Sequence, residues 1–180
     1  DSQANGSLMR ISPLGIFAAG RPLEAAHLAR RDSALTHPHP VCQDACAVFT
    51  AAIATAIANA STPTQCYRAA TQVADSLQVR GEVKLALAEA AEAAPRDTMT
   101  YQGWVLIALQ NAFYQLLHAP NLEAGIIATV MAGGDTDTNA AIAGALLGAV
   151  HGRQAVPARW LRAILSCRPL RSTGTAHPRS

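Results

Sequence analysis

The stretch that most limits the fold is Gly133-Gly134-Asp135-Thr136-Asp137-Thr138-Asn139, followed by Ala140-Ala141-Ile142-Ala143-Gly144-Ala145-Leu146-Leu147-Gly148. Two adjacent glycines permit a sharp backbone turn. The apolar run behind them has the composition of a tightly packed helix, so a dense set of oxygen-bearing side chains stands at the start of a rigid rod. That placement suits a metal or phosphate site. Along the helix, Ala140, Gly144, Gly148 and Gly152 form one ridge at four-residue spacing, and Ala141, Ala145 and Ala149 form the next. A glycine inside a helix costs about 1 kcal/mol relative to alanine. The expected compensation is close approach of neighbouring helices across the small ridge.

The rest of the chain reads as helices punctuated by proline and glycine. The expected spans are 22–33, 41–60, 63–79, 82–94, 103–118 and 122–132, then the glycine-opened helix to 152 and a last helix from Pro157 through Trp160 and Leu161. Thr36-His37-Pro38-His39-Pro40 interrupts the first pair, because proline disfavours the helical conformation of the residue before it. Ser61-Thr62-Pro63 ends one helix and caps the next. No period-two alternation occurs, so the fold class is all-α. A 180-residue chain of this kind can bury a core as one domain. The expected unit is 1–168, with a basic, disordered tail at 169–180.

Charge is unevenly placed. Twelve acidic and eight basic residues reach to Asp137, and six arginines with no acid follow it. With no interleaved aromatics and no nucleic-acid motif, the basic end reads as solvated surface or as a face for an acidic partner segment, not as a nucleic-acid site. Cys42, Cys46, Cys66 and Cys167 show neither a disulfide framework nor a CxxC pair, which points to reduced thiols in a cytoplasmic protein. No charged-then-apolar leader opens the sequence. The apolar run 45–60 contains Thr50, Thr55 and Asn59 and falls short of the roughly 18 residues of a membrane span; it reads as a core helix.

Asp135, Asp137 and Thr138 supply hard oxygen donors of the type taken by Mg²⁺ and Mn²⁺. The same residues could simply cap a helix, with Asp135 at the N-cap and Asp137 in the first turn. Spacing leaves both readings open. An EF-hand is ruled out, because Ala140 stands where its loop needs glycine and Leu146 where it needs a bidentate glutamate. His37, His39, Cys42 and Cys46 match no common zinc module. His37 could donate to a phosphate or carboxylate, and Asn5-Gly6-Ser7 could offer backbone N–H groups to an anion.

Taken together, three segments resemble the ADP-ribosylglycohydrolases. Residues 133–148 resemble that family's C-terminal metal motif. Asn5-Gly6-Ser7-Leu8-Met9-Arg10-Ile11-Ser12-Pro13-Leu14-Gly15 is similar to its substrate-loop signature, and Leu35-Thr36-His37-Pro38-His39-Pro40 to its histidine segment. The resemblance implies a compact, orthogonal multi-helix domain and a dinuclear Mg²⁺ or Mn²⁺ centre. The implied reaction frees ADP-ribose from a protein side chain or small molecule. It assigns Asp135, Asp137 and Thr138 to the metal, Ser2, Asn5, Gly6 and Ser7 to the ADP-ribose, and His37 to the diphosphate. It also implies a Thr-Asp-Asp cluster and a catalytic acid upstream of the substrate loop. No Thr-Asp-Asp run occurs in the sequence. The fold is therefore expected to be incomplete at its N-terminus. A separate N-terminal segment would complete it, and the alternative is a non-catalytic module that binds ADP-ribose or metal.

Overall fold

A computed structural model describes residues 2–167. The tail expected at 169–180 lies outside these. The described residues form helices α1 Ser12–Phe17, α2 Pro22–Ala34, α3 Pro40–Asn59, α4 Pro63–Ser76, α5 Gly81–Ala90, α6 Val105–His118, α7 Leu122–Met131, α8 Thr136–His151 and α9 Ala158–Ser166, with single 3₁₀ turns at Leu8–Arg10 and Arg153–Ala155. No strand occurs among the described residues; one antiparallel bridge pairs Ala4 with Trp104. The all-α expectation holds. Three boundaries differ. The fourth helix ends at Ser76, short of Gln78, which takes φ +47°. The sixth helix begins at Val105, because Gly103 takes φ +78°. The fifth ends at Ala90 and leaves 91–104 as a long connection. The sequence reading also passed over α1, a short helix opened by Pro13.

Helix α3 is the axle. Its ends are set locally: His39 is extended and its ring Nδ1 accepts from the Val41 N–H at 3.2 Å, while Ala60 closes the helix in the left-handed region. From Val41 to Ala56 nearly every side chain is buried, including Phe49 and Ile53. The helix is, contrary to the sequence reading, long and apolar enough to span a membrane. Most of it is instead enclosed by the other helices, and that burial makes it a core helix. Thr50 is tolerated at its centre because its hydroxyl donates back to the Cys46 carbonyl at 2.9 Å.

Helix α2 is fastened to α3 by Arg30, whose Nε donates to Asp44 Oδ1 at 3.0 Å. The other oxygen of Asp44 accepts from the Arg80 N–H at 2.8 Å, so one buried carboxylate also fixes the turn before α5. At the start of α4, Thr62 and Gln65 make a reciprocal capping box, as the break at Ser61-Thr62-Pro63 predicts.

The small ridge of α8 meets the packing expectation at Gly144 and departs from it at Gly148. Helix α8 turns Ile142, Ala143, Leu146 and Leu147 inward. A Cβ on Gly148 would meet nothing within 4 Å, and one on Gly144 would meet only Ile126 at 3.3 Å. Close approach occurs at other glycines. A Cβ on Gly125 of α7 would stand 2.7 Å from Leu147 Cδ1, and one on Gly15 of α1 would stand 2.8 Å from Ile53. Leucine and isoleucine press into those gaps, so large side chains meet single glycines; of the two ridge glycines, Gly144 is closely met by Ile126 of α7 and Gly148 is open.

Candidate functional site

The turn that presents Asp135 is held from outside its own helix. Gly133 and Gly134 both take positive φ, at +78° and +73°. A Cβ on Gly134 would lie 2.0 Å from the Thr98 carbonyl oxygen, and one on Gly133 would lie 2.7 Å from Met99 Sδ. Thr98 Oγ1 in turn donates to the Ala132 carbonyl at 2.6 Å. The segment before α6 therefore grips the double-glycine turn and sets where α8 begins. Asp97 shapes that segment: its carboxylate accepts from the Thr100 N–H at 2.8 Å, and this bond holds its pKa below the ordinary value.

Asp135 occupies the N-cap of α8, yet its carboxylate makes no capping hydrogen bond to the helix. It is engaged by Asn5, whose Nδ2 donates to Asp135 Oδ2 at 2.8 Å and approaches Asn139 Oδ1 at 3.3 Å. Burial works against charge on Asp135, but the Asn5 amide and then the nearby Thr138 more than offset it, so its pKa is lowered. Asp137 is exposed, and Thr138 is half-buried on the same first turn. A helix N-terminus adds favourable partial charge beside both carboxylates.

Asn5 is itself pinned. Its N–H donates to the Gly103 carbonyl at 2.8 Å, and the Val105 N–H donates to the Gln3 carbonyl at 2.9 Å. Trp104 Nε1 closes the junction on Gln3 Oε1 at 2.8 Å. Ser2 is exposed at the entrance of the segment, and its hydroxyl accepts from the Ala4 N–H at 3.2 Å.

The next residue meets the histidine segment. A Cβ on Gly6 would lie 2.8 Å from His37 Cε1 and 2.9 Å from its Nε2, so only glycine lets this imidazole rest on the loop. His37 is partly exposed, with Nδ1 2.9 Å from Thr36 Oγ1. Arg10 donates to the same threonine oxygen at 2.7 Å and pairs with Asp32. Ser7 lies inside: its side chain is fully buried, and its hydroxyl accepts from Ser33 at 2.9 Å and stands 3.4 Å from Cys46 Sγ. Its side chain thus braces the loop from within.

Asn5 and Gly6 accordingly tie together the three motif segments, with Asp135 on one side and His37 on the other. A model of the family ADP-ribosylglycohydrolase matches residues 1–175. The chain belongs to the ADP-ribosylglycohydrolase family.

A solved structure described as an ADP-ribosylglycohydrolase-related protein complex is similar in fold, with a TM-score of 0.78 and 26% identity over 89% of this chain. The family's fold, in the multi-helix form the resemblance implied, is thereby shown. This chain spans 54% of that relative, about half its length. A comparison with curated proteins finds no match.

Three contributors escaped the sequence reading. Asn139 stands in the sequence only as one more oxygen-bearing residue of the turn, yet it is buried against Asn5. Gly103 read as the first residue of a helix, although a glycine just before a tryptophan-led apolar run is also a turn signal. Ser33 gave no signal, since a lone serine at a helix end resembles many others.

Proposed function

We propose that this chain forms the ADP-ribose-facing and metal-facing part of a hydrolase that frees ADP-ribose from a modified protein side chain or small molecule. The observation that supports this best is the 2.8 Å bond from Asn5 Nδ2 to Asp135 Oδ2, which joins the loop signature to the metal motif. In this reading the Ser2, Asn5 and Gly6 backbone lies along the ADP-ribose, Ser7 holds that backbone in shape, and His37 donates to the diphosphate.

The donor types at α8 suit Mg²⁺ or Mn²⁺: two carboxylates and a hydroxyl are hard oxygen ligands. Their number falls short of an octahedral shell, and no group of three or more His, Cys, Asp or Glu side chains gathers around a metal-sized space among the described residues. Asp135, Asp137 and Thr138 would therefore hold one side of the ion or ions, with the remaining donors from water or another segment. A divalent ion in such a place fixes hydroxyl groups and lowers the pKa of bound water. This chain's own contribution is to bind and orient. Asn5 keeps the Asp135 carboxylate in one rotation, and Gly6 keeps His37 beside the loop.

A second reading is a module that binds ADP-ribose or metal without catalysis. It is supported by the small donor set, since Asp135, Asp137 and Thr138 alone fall short of an octahedral shell. Cytoplasmic residence fits either reading, with Cys42, Cys46 and Cys66 buried and unpaired. Calorimetry of the chain with ADP-ribose, Mg²⁺ and Mn²⁺, followed by a de-ADP-ribosylation assay with the complementing segment supplied, tests both. Heat without turnover in the completed protein leaves the binding module, and no heat with any of the three removes both readings.

A further inference from the structure

The connection 91–104 does more than grip the double-glycine turn. With the end of α5 and the first turns of α6 it lines a groove of about 400 Å³. Small-ligand pockets span roughly 300–1,000 Å³, so this one has room for one or two side chains and not for a folded domain. Tyr101 and Trp104 supply its aromatic wall: their ring centroids lie 6.0 Å apart, and they stay 58% and 37% exposed. Isolated exposed apolar residues need no explanation, but two large rings side by side in a groove mark a docking surface. The same groove is lined by Glu89 and Glu92, and neither carboxylate forms an ion pair among the described residues. Asp97 adds a third carboxylate, part of whose capacity goes to the Thr100 N–H, and Arg96 is the one cation on the lining. Three carboxylates against one guanidinium give the lining a charge of −2, in a chain whose formal net charge is +2.

We infer that this groove docks a lysine- or arginine-bearing segment of the protein that carries the ADP-ribose. Charge complementarity selects the occupant. A ring face attracts a cation held within about 6 Å of its centroid. The apolar stem of lysine or arginine lies along such a face while its charged head reaches a carboxylate. No cation of this chain stacks on Tyr101 or Trp104 among the described residues, so both faces are free for one from outside. An acidic segment would be repelled by the lining, and a purely apolar one would strip water from Glu89 and Glu92 and return nothing. The location supports the same occupant. Trp104 follows Gly103, at which a Cβ would stand 3.7 Å from Asp135 Oδ2, and its indole N–H is tied to Gln3 of the substrate loop. An extended peptide advances about 3.3–3.6 Å per residue, so the cations read here are those a few residues from the modified side chain. The fit of a cationic segment rests on the groove alone; that the segment belongs to an ADP-ribosylated protein rests on the function proposed above.

The test titrates the full chain into a short dye-labelled peptide rich in lysine and arginine, and into a counterpart with glutamate at the same positions. Fluorescence anisotropy is read in EDTA and without ADP-ribose. Saturable binding of the basic peptide alone is expected, weakened about tenfold by Glu89→Gln combined with Glu92→Gln. Tyr101→Ala should weaken it about threefold. Glu82→Gln, which removes a charge from α5 outside the groove, should leave it unchanged, and circular dichroism checks that each variant is folded. No binding, or equal binding of the two peptides, overturns the inference. So does a loss in the double glutamine variant with none in Tyr101→Ala, which is the signature of undirected charge attraction. Because neither metal nor nucleotide is present, failure here leaves the proposed function standing. A chain that binds the basic peptide but gives no heat with ADP-ribose, Mg²⁺ or Mn²⁺ keeps the groove and loses that function.

Discussion

Asn5 reaches across 130 positions of sequence to donate its side-chain amide to Asp135 at 2.8 Å. The bond makes the loop that begins the described chain and the turn that begins α8 a single unit. A carboxylate with one oxygen tied in this way presents the other in a fixed direction, which is what a ligand to a hard cation requires.

Replacing Asn5 with alanine should therefore act twice. A hydrogen bond to a charged group, discounted for the partial exposure of Asp135, is worth about 1–2 kcal/mol. Urea unfolding should show a loss of that order. Calorimetry should show weaker Mn²⁺ binding than the parent, and an unchanged affinity would separate Asn5 from the metal donors.

Two glycines of similar appearance should respond in opposite directions. Alanine at Gly134 places a Cβ 2.0 Å from the Thr98 carbonyl on a backbone at φ +73°, and a loss on the order of 3 kcal/mol is expected. Alanine at Gly148 meets nothing within 4 Å and removes helix-interior flexibility, for a gain of about 0.5–1 kcal/mol in the isolated chain. Thermal melts of both variants decide the matter.

Gly6→Ala should displace His37, because the new methyl would stand 2.8 Å from the ring. The fold should survive, since the imidazole is partly exposed and can rotate away. The readout is the His37 ring resonance in NMR together with ADP-ribose affinity. A shifted resonance with unaltered affinity would remove His37 from the ligand contacts.

The buried carboxylate of Asp44 serves both Arg30 and the Arg80 N–H. Asp44→Ala leaves a partly buried guanidinium without its counter-charge, for an expected cost of about 3–5 kcal/mol. Denaturant midpoints should show it, and joint replacement of Arg30 and Asp44 by apolar residues should recover part of the loss.

Burial raises the pKa of Cys46 to about 11 and that of Cys66 to about 12. A folded value above the unfolded one means the neutral thiol is favoured in the native state. The resulting stability is complete below pH 9 and lost as the pH climbs through 11 to 12. At pH 8, iodoacetamide should label the exposed Cys167 readily and reach Cys46 and Cys66 only on unfolding. Rapid native labelling of Cys66 would contradict the packing around α4.

What the sequence by itself determined was local. Proline and glycine placement marked most helix ends, the Thr62 and Gln65 cap could be read from neighbouring residues, and the lack of alternation established an all-α class. The motif segments named the candidate donors, because residue types and short spacings are properties of the chain alone. Tertiary structure decided which of these residues meet. Asn5 finds Asp135, and Gly6 finds His37, through contacts between segments far apart in sequence that no local pattern encodes. The same holds for α8. Small residues at four-residue spacing permit close packing without saying which partner uses it, and here Leu147 and Ile53 took the gaps at Gly125 and Gly15 while Gly148 faces an open groove. Periodicity specifies a face; only the assembled core specifies what covers it.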